Sequence, residues 1–155
     1  MEARQIGVIS DTHGLLRPQA LAALAGSELI IHAGDIGKPE VLEGLSRIAP
    51  VVAVRGNNDR AAWAMELPEK KLETFGDIKI YLLHILPELD VNPAEESIQA
   101  VISGHSHKPL ISYKQGVLYL NPGSAGPRRF KLPVSVALLL LRGKDLEPRL
   151  IEITA

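Results

Sequence analysis

Residues 5–37 read QIGVISDTHGLLRPQALAALAGSELIIHAGDIG, and their pattern decides the fold class. Residues 5–10 form a short, nearly continuous apolar run, as a strand buried on both faces requires. Residues 18–25 have helical composition, with Pro18 at an early helical position and Gly26 near the end. Residues 28–32 supply a second buried strand. Further on, Val41, Leu42, Leu45 and Ile48 recur at helical spacing within 39–48, and residues 51–55 make a third strand. The order β-α-β-α-β implies a parallel sheet with right-handed crossovers.

The second half changes style. Residues 71–75 and 78–84 flank a Gly76-Asp77 turn, residues 110–113 and 117–120 flank Gln115-Gly116, and residues 134–141 and 146–153 flank Gly143-Lys144-Asp145. Each pair reads as a hairpin. Residues 100–103 are another short strand, and only residues 93–99 invite a helix in this half. The expected architecture is α/β, with two packed β-sheets flanked by helices in a single domain spanning residues 1–155.

Composition narrows the function. At 155 residues the chain is long enough to bury a core, and with aromatics at 4% that core is mostly aliphatic. Seventeen Lys+Arg stand against 18 Asp+Glu with no block of like charge, which argues against a general binder of long nucleic acid or of membrane surfaces. The absence of Cys excludes a disulfide scaffold, a thiol nucleophile and thiolate metal sites. The first residues carry no basic segment followed by an apolar stretch, and the longest apolar run, residues 134–141, is too short for a membrane span. A cytoplasmic location is expected.

In sheets of this kind ligands bind beyond the C-terminal ends of strands. Those ends carry Ser10-Asp11-Thr12-His13-Gly14, His32-Ala33-Gly34-Asp35, Arg55-Gly56-Asn57-Asn58-Asp59, His84, and Gly104-His105-Ser106-His107. All five histidines of the chain fall there. Imidazole and carboxylate together, on loops held by rigid strands, are what a metal site needs, and a ligand set without sulfur suits Mn²⁺, Fe or Zn²⁺.

Asp11-x-His13, Gly34-Asp35, Gly56-Asn57-x-Asp59 and Gly104-His105-x-His107, in this order, resemble the calcineurin-like metallophosphoesterases. The short chain and Asn121-Pro122-Gly123-Ser124 are similar to the small YfcE-type phosphodiesterase branch, and the likeness extends from Asp11 to Ser124. The resemblance implies a four-layer sandwich and two divalent ions, with Mn²⁺ favoured over Zn²⁺, Fe²⁺, Ni²⁺ or Co²⁺. It assigns Asp11, His13 and His107 to one ion, Asn57, His84 and His105 to the other, and Asp35 to both. Two divalent ions, two aspartates and a bridging hydroxide leave a net positive centre that attracts phosphate and activates water. The implied substrate is a small or nucleotide-like phosphodiester, with Asn57, Asn58 and Asp59 as the catalytic group and a homodimer as the implied assembly.

Two positions depart from the family pattern. Asn58 stands where many relatives have His, and an amide is no general acid. His84 is followed by Ile85-Leu86-Pro87 rather than Gly. A phosphomonoesterase shares the same chemistry, and a retromer subunit reuses the fold as a non-catalytic scaffold, so both stay as alternatives. Around the centre, His32 is expected to support the ligands or the fold, and Asp59 to orient a loop or shape a turn. Arg17, Arg55, Arg128 and Arg129 are candidate phosphate clamps or solvated surface groups. Trp63 and Met65 are candidates for a substrate loop or a partner contact.

Overall fold

Alternate residues of the first two strands enter different clusters: Ile6, Val8, Leu29 and Ile31 in one, Ile9 and Ile30 in the other. Both faces of this sheet are therefore covered, which accounts for its near-continuous apolar sequence. The structure, a computed structural model, describes residues 3–129 and 131–153. Met1, Glu2, Phe130, Thr154 and Ala155, included in the expected 1–155 domain, lie outside the described residues.

One sheet contains β1 (Arg4–Ile9), β2 (Leu29–His32), β3 (Val51–Ala53), β9 (Ser135–Arg142) and β10 (Asp145–Glu152), in the order β10-β9-β1-β2-β3. The other contains β4 (Lys70–Phe75), β5 (Ile78–Leu83), β6 (Ala100–Ile102), β7 (Leu110–Lys114) and β8 (Val117–Asn121), in the order β4-β5-β6-β8-β7. β1, β2 and β3 are parallel, with Ile6 opposite Leu29 and Ile30 opposite Val51. β5, β6 and β8 are parallel as well; antiparallel strands lie on one side of the first trio and on both sides of the second. Ile6, Val8, Leu29 and Ile31 pack against Ile80, Leu82, Ile102 and Leu120, so the main core lies between the sheets.

Helices α1 (Pro18–Leu24) and α2 (Pro39–Ser46) cover the outer face of the first sheet through Ala20, Leu24, Val41 and Leu45. Each begins with Pro, which has no N–H to leave unpaired in the first turn. The outer face of the second sheet is covered differently. Val101 and Val117 pack against Leu86, Leu89, Val91 and Ile98, from an irregular segment containing one 3-10 turn, Leu86–Glu88.

The helix expected over residues 93–99 is replaced by turns. Glu96 N–H bonds to Asn92 O at 3.1 Å and Ile98 N–H to Pro93 O at 2.9 Å, and Ser97 reverses the chain at φ 58°. Ile98 must enter the core and Gln99 N–H must reach Lys79 O, so no second helical turn follows to repay nucleation. The third strand stops at Ala53 instead of residue 55, because Arg55 N–H turns to Pro68 O at 2.9 Å.

Candidate metal centre

Left-handed backbone costs a non-glycine residue on the order of 1 kcal/mol or more, so its location is informative. Asp11, His13, Asp35, His105 and His107 all adopt it, at φ of 54°, 47°, 56°, 72° and 63°. These residues follow β1, β2 and β6. With His84, just after β5, they form two trios: Asp11, His13 and His107, and Asp35, His84 and His105. Within each trio the candidate ligand atoms lie within 4.8 Å of one another.

Hydrogen bonds aim these groups. Asp11 Oδ2 accepts from Ser10 Oγ at 2.6 Å and from His105 N–H at 3.1 Å, which leaves Oδ1 free. That Oδ1 lies 3.8, 3.7 and 3.3 Å from Nε2 of His13, His84 and His107. Asp35 accepts from Asn58 N–H at 2.9 Å on Oδ1 and from Asn58 Nδ2 at 3.1 Å on Oδ2. Its Oδ2 is 3.2 Å from His84 Nε2 and 3.8 Å from His13 Nε2, between the trios. His84 Nδ1 faces Ala33 O at 2.7 Å, and since a carbonyl only accepts, Nδ1 carries the proton. Nε2 of the neutral ring therefore presents a lone pair toward two carboxylates.

Four of these groups have a buried atom with no hydrogen-bond partner among the described residues: Asp11 Oδ1, His13 Nε2, His84 Nε2 and His107 Nδ1. Leaving such atoms unpaired costs roughly 1–3 kcal/mol each, and a cation removes that cost for Asp11 Oδ1, His13 Nε2 and His84 Nε2. The oxygen and imidazole donor set fits a divalent first-row metal. With protons alone to bind, Nε2 of His84 takes one up and turns it to Asp35 Oδ2 at 3.2 Å; burial works against ionising Asp35, but that proton and the Asn58 N–H outweigh it and lower the carboxyl to about 2. Burial likewise opposes charge on His84, and the Asp35 hydrogen bond with the Asp11 charge overrides it, raising that ring. His107 goes the other way, lowered by burial despite the Asp11 charge.

The loops that carry the trios are tied together behind them. Asp59, 3% exposed, accepts from Ile36 N–H at 3.0 Å, Gly37 N–H at 3.1 Å and Gly56 N–H at 2.8 Å. It thereby joins the Asp35 loop to the Asn57 loop. His32 Nδ1 accepts from Gly34 N–H at 3.1 Å, so Nε2 holds the proton and donates to Thr12 Oγ1 at 3.0 Å. The Thr12 hydroxyl then donates to Ile36 O at 2.8 Å. Burial, reinforced by the nearby His84, lowers His32 to about 3, which keeps the ring neutral. Glycine is required where these loops touch: a Cβ at Gly56 would collide with Asp35 Oδ1 and Asp35 N, and one at Gly104 with Ser10 Oγ.

Sequence reading did not single out Ser10 or Thr12 as ligand supports, and their adjacency to Asp11 was the available signal. Ser124 Oγ donates to Asp11 O at 3.0 Å, and Asn121 Nδ2 donates to Gly104 O at 3.0 Å, so the 121–124 segment holds two ligand loops. Asn57 is exposed and lines a cavity with His84. Asn58 turns its amide inward to Asp35 instead of outward. Of the four arginines, Arg17 bonds to Gly126 O, Arg55 to Leu67 O and Glu69, and Arg128 to Leu132 O. Arg129 is the one whose charge acts on His107. Trp63 packs on the cluster beneath the first sheet, while Met65 is half-exposed.

Two mixed sheets, with histidines and aspartates gathered at their parallel strand ends, define a metallophosphoesterase-type fold. The chain belongs to the calcineurin-like phosphoesterase superfamily, whose domain model matches residues 5–144. It is 37% identical to a probable metallophosphoesterase of Methanothermobacter thermautotrophicus, over 94% of this chain and 91% of the relative. It is 28% identical to the phosphodiesterase YfcE of Escherichia coli, over 84% of each chain. Vacuolar protein sorting 29 of Cryptosporidium parvum has the same fold, with a TM-score of 0.76 at 23% identity and complete coverage of both chains.

Proposed function

We propose that this chain is a phosphodiesterase dependent on two divalent ions, with Mn²⁺ favoured and Zn²⁺, Fe²⁺, Ni²⁺ or Co²⁺ as alternatives. The observation that carries the reading is the pair of His/Asp trios whose buried atoms lack partners, in a chain of the calcineurin-like phosphoesterase superfamily. Asp11, His13 and His107 hold one ion, Asn57, His84 and His105 the other, and Asp35 lies between them. When bound, such ions polarise a phosphoryl oxygen and lower the pKa of water.

The protein's part is orientation. Ser10 and the His105 N–H direct Asp11, Asn58 directs Asp35, and Ala33 O sets the His84 tautomer. Arg129 supplies a guanidinium for a non-reacting phosphate oxygen. With an amide at position 58, no acid there protonates a departing alcohol, so esters with good leaving groups are the better substrates. The site is read as acting in the cytoplasm, in a homodimer.

The test is Mn²⁺-dependent hydrolysis of bis-p-nitrophenyl phosphate, with p-nitrophenyl phosphate and an Asp35→Asn variant alongside. Diester turnover that exceeds monoester turnover and is lost in the variant supports a phosphodiesterase. The reverse preference supports a phosphomonoesterase. No turnover with any of several divalent metals supports a scaffold on the same fold.

A further inference from the structure

Beside the second trio lies a cavity of about 190 Å³ whose lining includes Asn57 and His84. Because Asn57 and His84 belong to both the cavity and the candidate centre, it adjoins the place where a phosphate ester would bind. Ile85 contributes apolar surface, and Arg55, Glu69 and Glu88 supply three charges. Arg55 is already engaged: its guanidinium donates to Leu67 O and, at 3.2 Å, to the Glu69 carboxylate. Glu88 is held through its main chain, whose carbonyl accepts from Lys70 Nζ at 2.7 Å, while Lys70 pairs with Asp90 at 3.4 Å. The Glu88 carboxylate has no ion-pair or hydrogen-bond partner among the described residues. The cavity therefore presents one uncompensated negative charge next to a centre built for an anion.

Size and lining restrict the occupant further. At about 190 Å³ the cavity is smaller than the roughly 300–1,000 Å³ typical of pockets for drug-sized ligands, which suits a small alcohol. Among the described residues that line it there is no Phe, Tyr or Trp ring to stack a nucleobase. A second phosphate or carboxylate would meet Glu69 and Glu88, and among the described lining residues the one cation, Arg55, is already engaged.

We infer that this cavity takes one ester arm of the substrate and that the arm is a small alcohol bearing an ammonium group. The inference rests on the phosphodiesterase reading and replaces "small or nucleotide-like" with a definite class, a phosphodiester of an amino alcohol. Glu88 is the specificity residue, acting by charge at an exposed rim.

The experiment compares p-nitrophenyl phosphorylcholine with its neutral isostere, the p-nitrophenyl diester of 3,3-dimethylbutyl phosphate, on the Mn²⁺-loaded protein at low ionic strength. The charged substrate is expected to have about fivefold higher kcat/KM, the size of a good exposed ion pair. Glu88→Gln brings the ratio to near one, and Glu88→Lys inverts it. Equal values in the wild type, or a ratio unmoved by both variants, overturn the inference. Calorimetry with phosphocholine and 3,3-dimethylbutyl phosphate reads the same ratio without turnover. If no diester, bis-p-nitrophenyl phosphate included, is hydrolysed, the phosphodiesterase reading fails, while the calorimetric ratio still decides what the cavity prefers.

Discussion

His32 donates from Nε2 to Thr12 Oγ1 across 3.0 Å, and both side chains are fully buried. Thr12 sits between Asp11 and His13, two residues in left-handed backbone, and His32 also receives Gly34 N–H, next to Asp35. Every proton in this relay has one donor and one acceptor. Its consequence is that the Asp11 and Asp35 loops share one support, and strained conformations persist only where surroundings over-determine them.

Replacing His32 with Ala removes that support. The metal-free variant is expected to lose 2 kcal/mol or more by order of magnitude, with two buried hydrogen bonds broken and a cavity left. Mn²⁺ affinity should fall at least tenfold by calorimetry. His32→Gln, which keeps a donor and an acceptor, should recover part of the affinity. Equal affinities in Ala and Gln variants would reduce His32 to a packing residue.

The same ring predicts a pH signature. Its folded pKa is lowered by burial and by His84 from 6.5 to about 3, so between those values the unfolded chain binds a proton the folded chain does not. Stability should therefore fall as pH drops below 6.5, by as much as about 1.4 kcal/mol per pH unit, and be flat in this contribution above it. Urea unfolding of the metal-free wild type and His32→Gln, from pH 7 to 4, isolates the term: the variant's profile should be shallower.

Asp59 is the second brace, and its three backbone partners come from two loops. Hydrogen bonds to a buried charge are worth about 1.5–3 kcal/mol. Asp59→Asn exchanges one accepting oxygen for a donor that faces N–H groups, so it is expected to destabilise by about that amount and to weaken Mn²⁺ binding. Chemical denaturation with metal titration checks both, and an unchanged midpoint would show that the loops hold without it.

The fold was legible because its signals are local. Apolar runs at 5–10 and 28–32, with Pro18 and Pro39 between strands, mark β-α-β units without tertiary knowledge. His13, His105 and His107 are candidates for the same reason, since Asp-x-His and His-x-His spacings survive in one dimension, whereas His84 stands alone in the sequence and joins them only in space. What could not be read were relations across the chain. Nothing local says that Asn58 turns to Asp35, 23 residues away, or that Ser124 reaches Asp11. The segment at 93–99 looked helical because Pro93 and its polar successors suit a first turn, but the demand of Ile98 for the core is a tertiary fact.

Gly56 lies against Asp35 so closely that a methyl group has no room: the clash is with backbone N as well as the carboxylate. Gly56→Ala should therefore displace Asp35 rather than fill space, and abolish measurable Mn²⁺ binding while leaving a folded circular-dichroism spectrum. Gly116→Ala, at a hairpin turn where a Cβ meets nothing but the backbone is left-handed, is the control for strain remote from the centre. Retained Mn²⁺ affinity in Gly56→Ala would mean that Asp35 is not part of the centre.

Under the proposed function, Asn58 is expected to govern how the site treats leaving groups. Its side chain donates to Asp35 Oδ2 at 3.1 Å, so in this chain position 58 orients a carboxylate and supplies no proton. Rates on a series of diesters should fall steeply as the leaving alcohol's pKa rises. Asn58→His should flatten that dependence, raising the rate on an unactivated alkyl diester by roughly tenfold or more, the lower end of what general acids contribute. The substitution also removes the amide from Asp35, so turnover of bis-p-nitrophenyl phosphate, which needs no proton, should drop. The opposing changes matter more than either alone: parallel loss on both substrates would assign position 58 to carboxylate orientation only and leave protonation of the leaving oxygen to water.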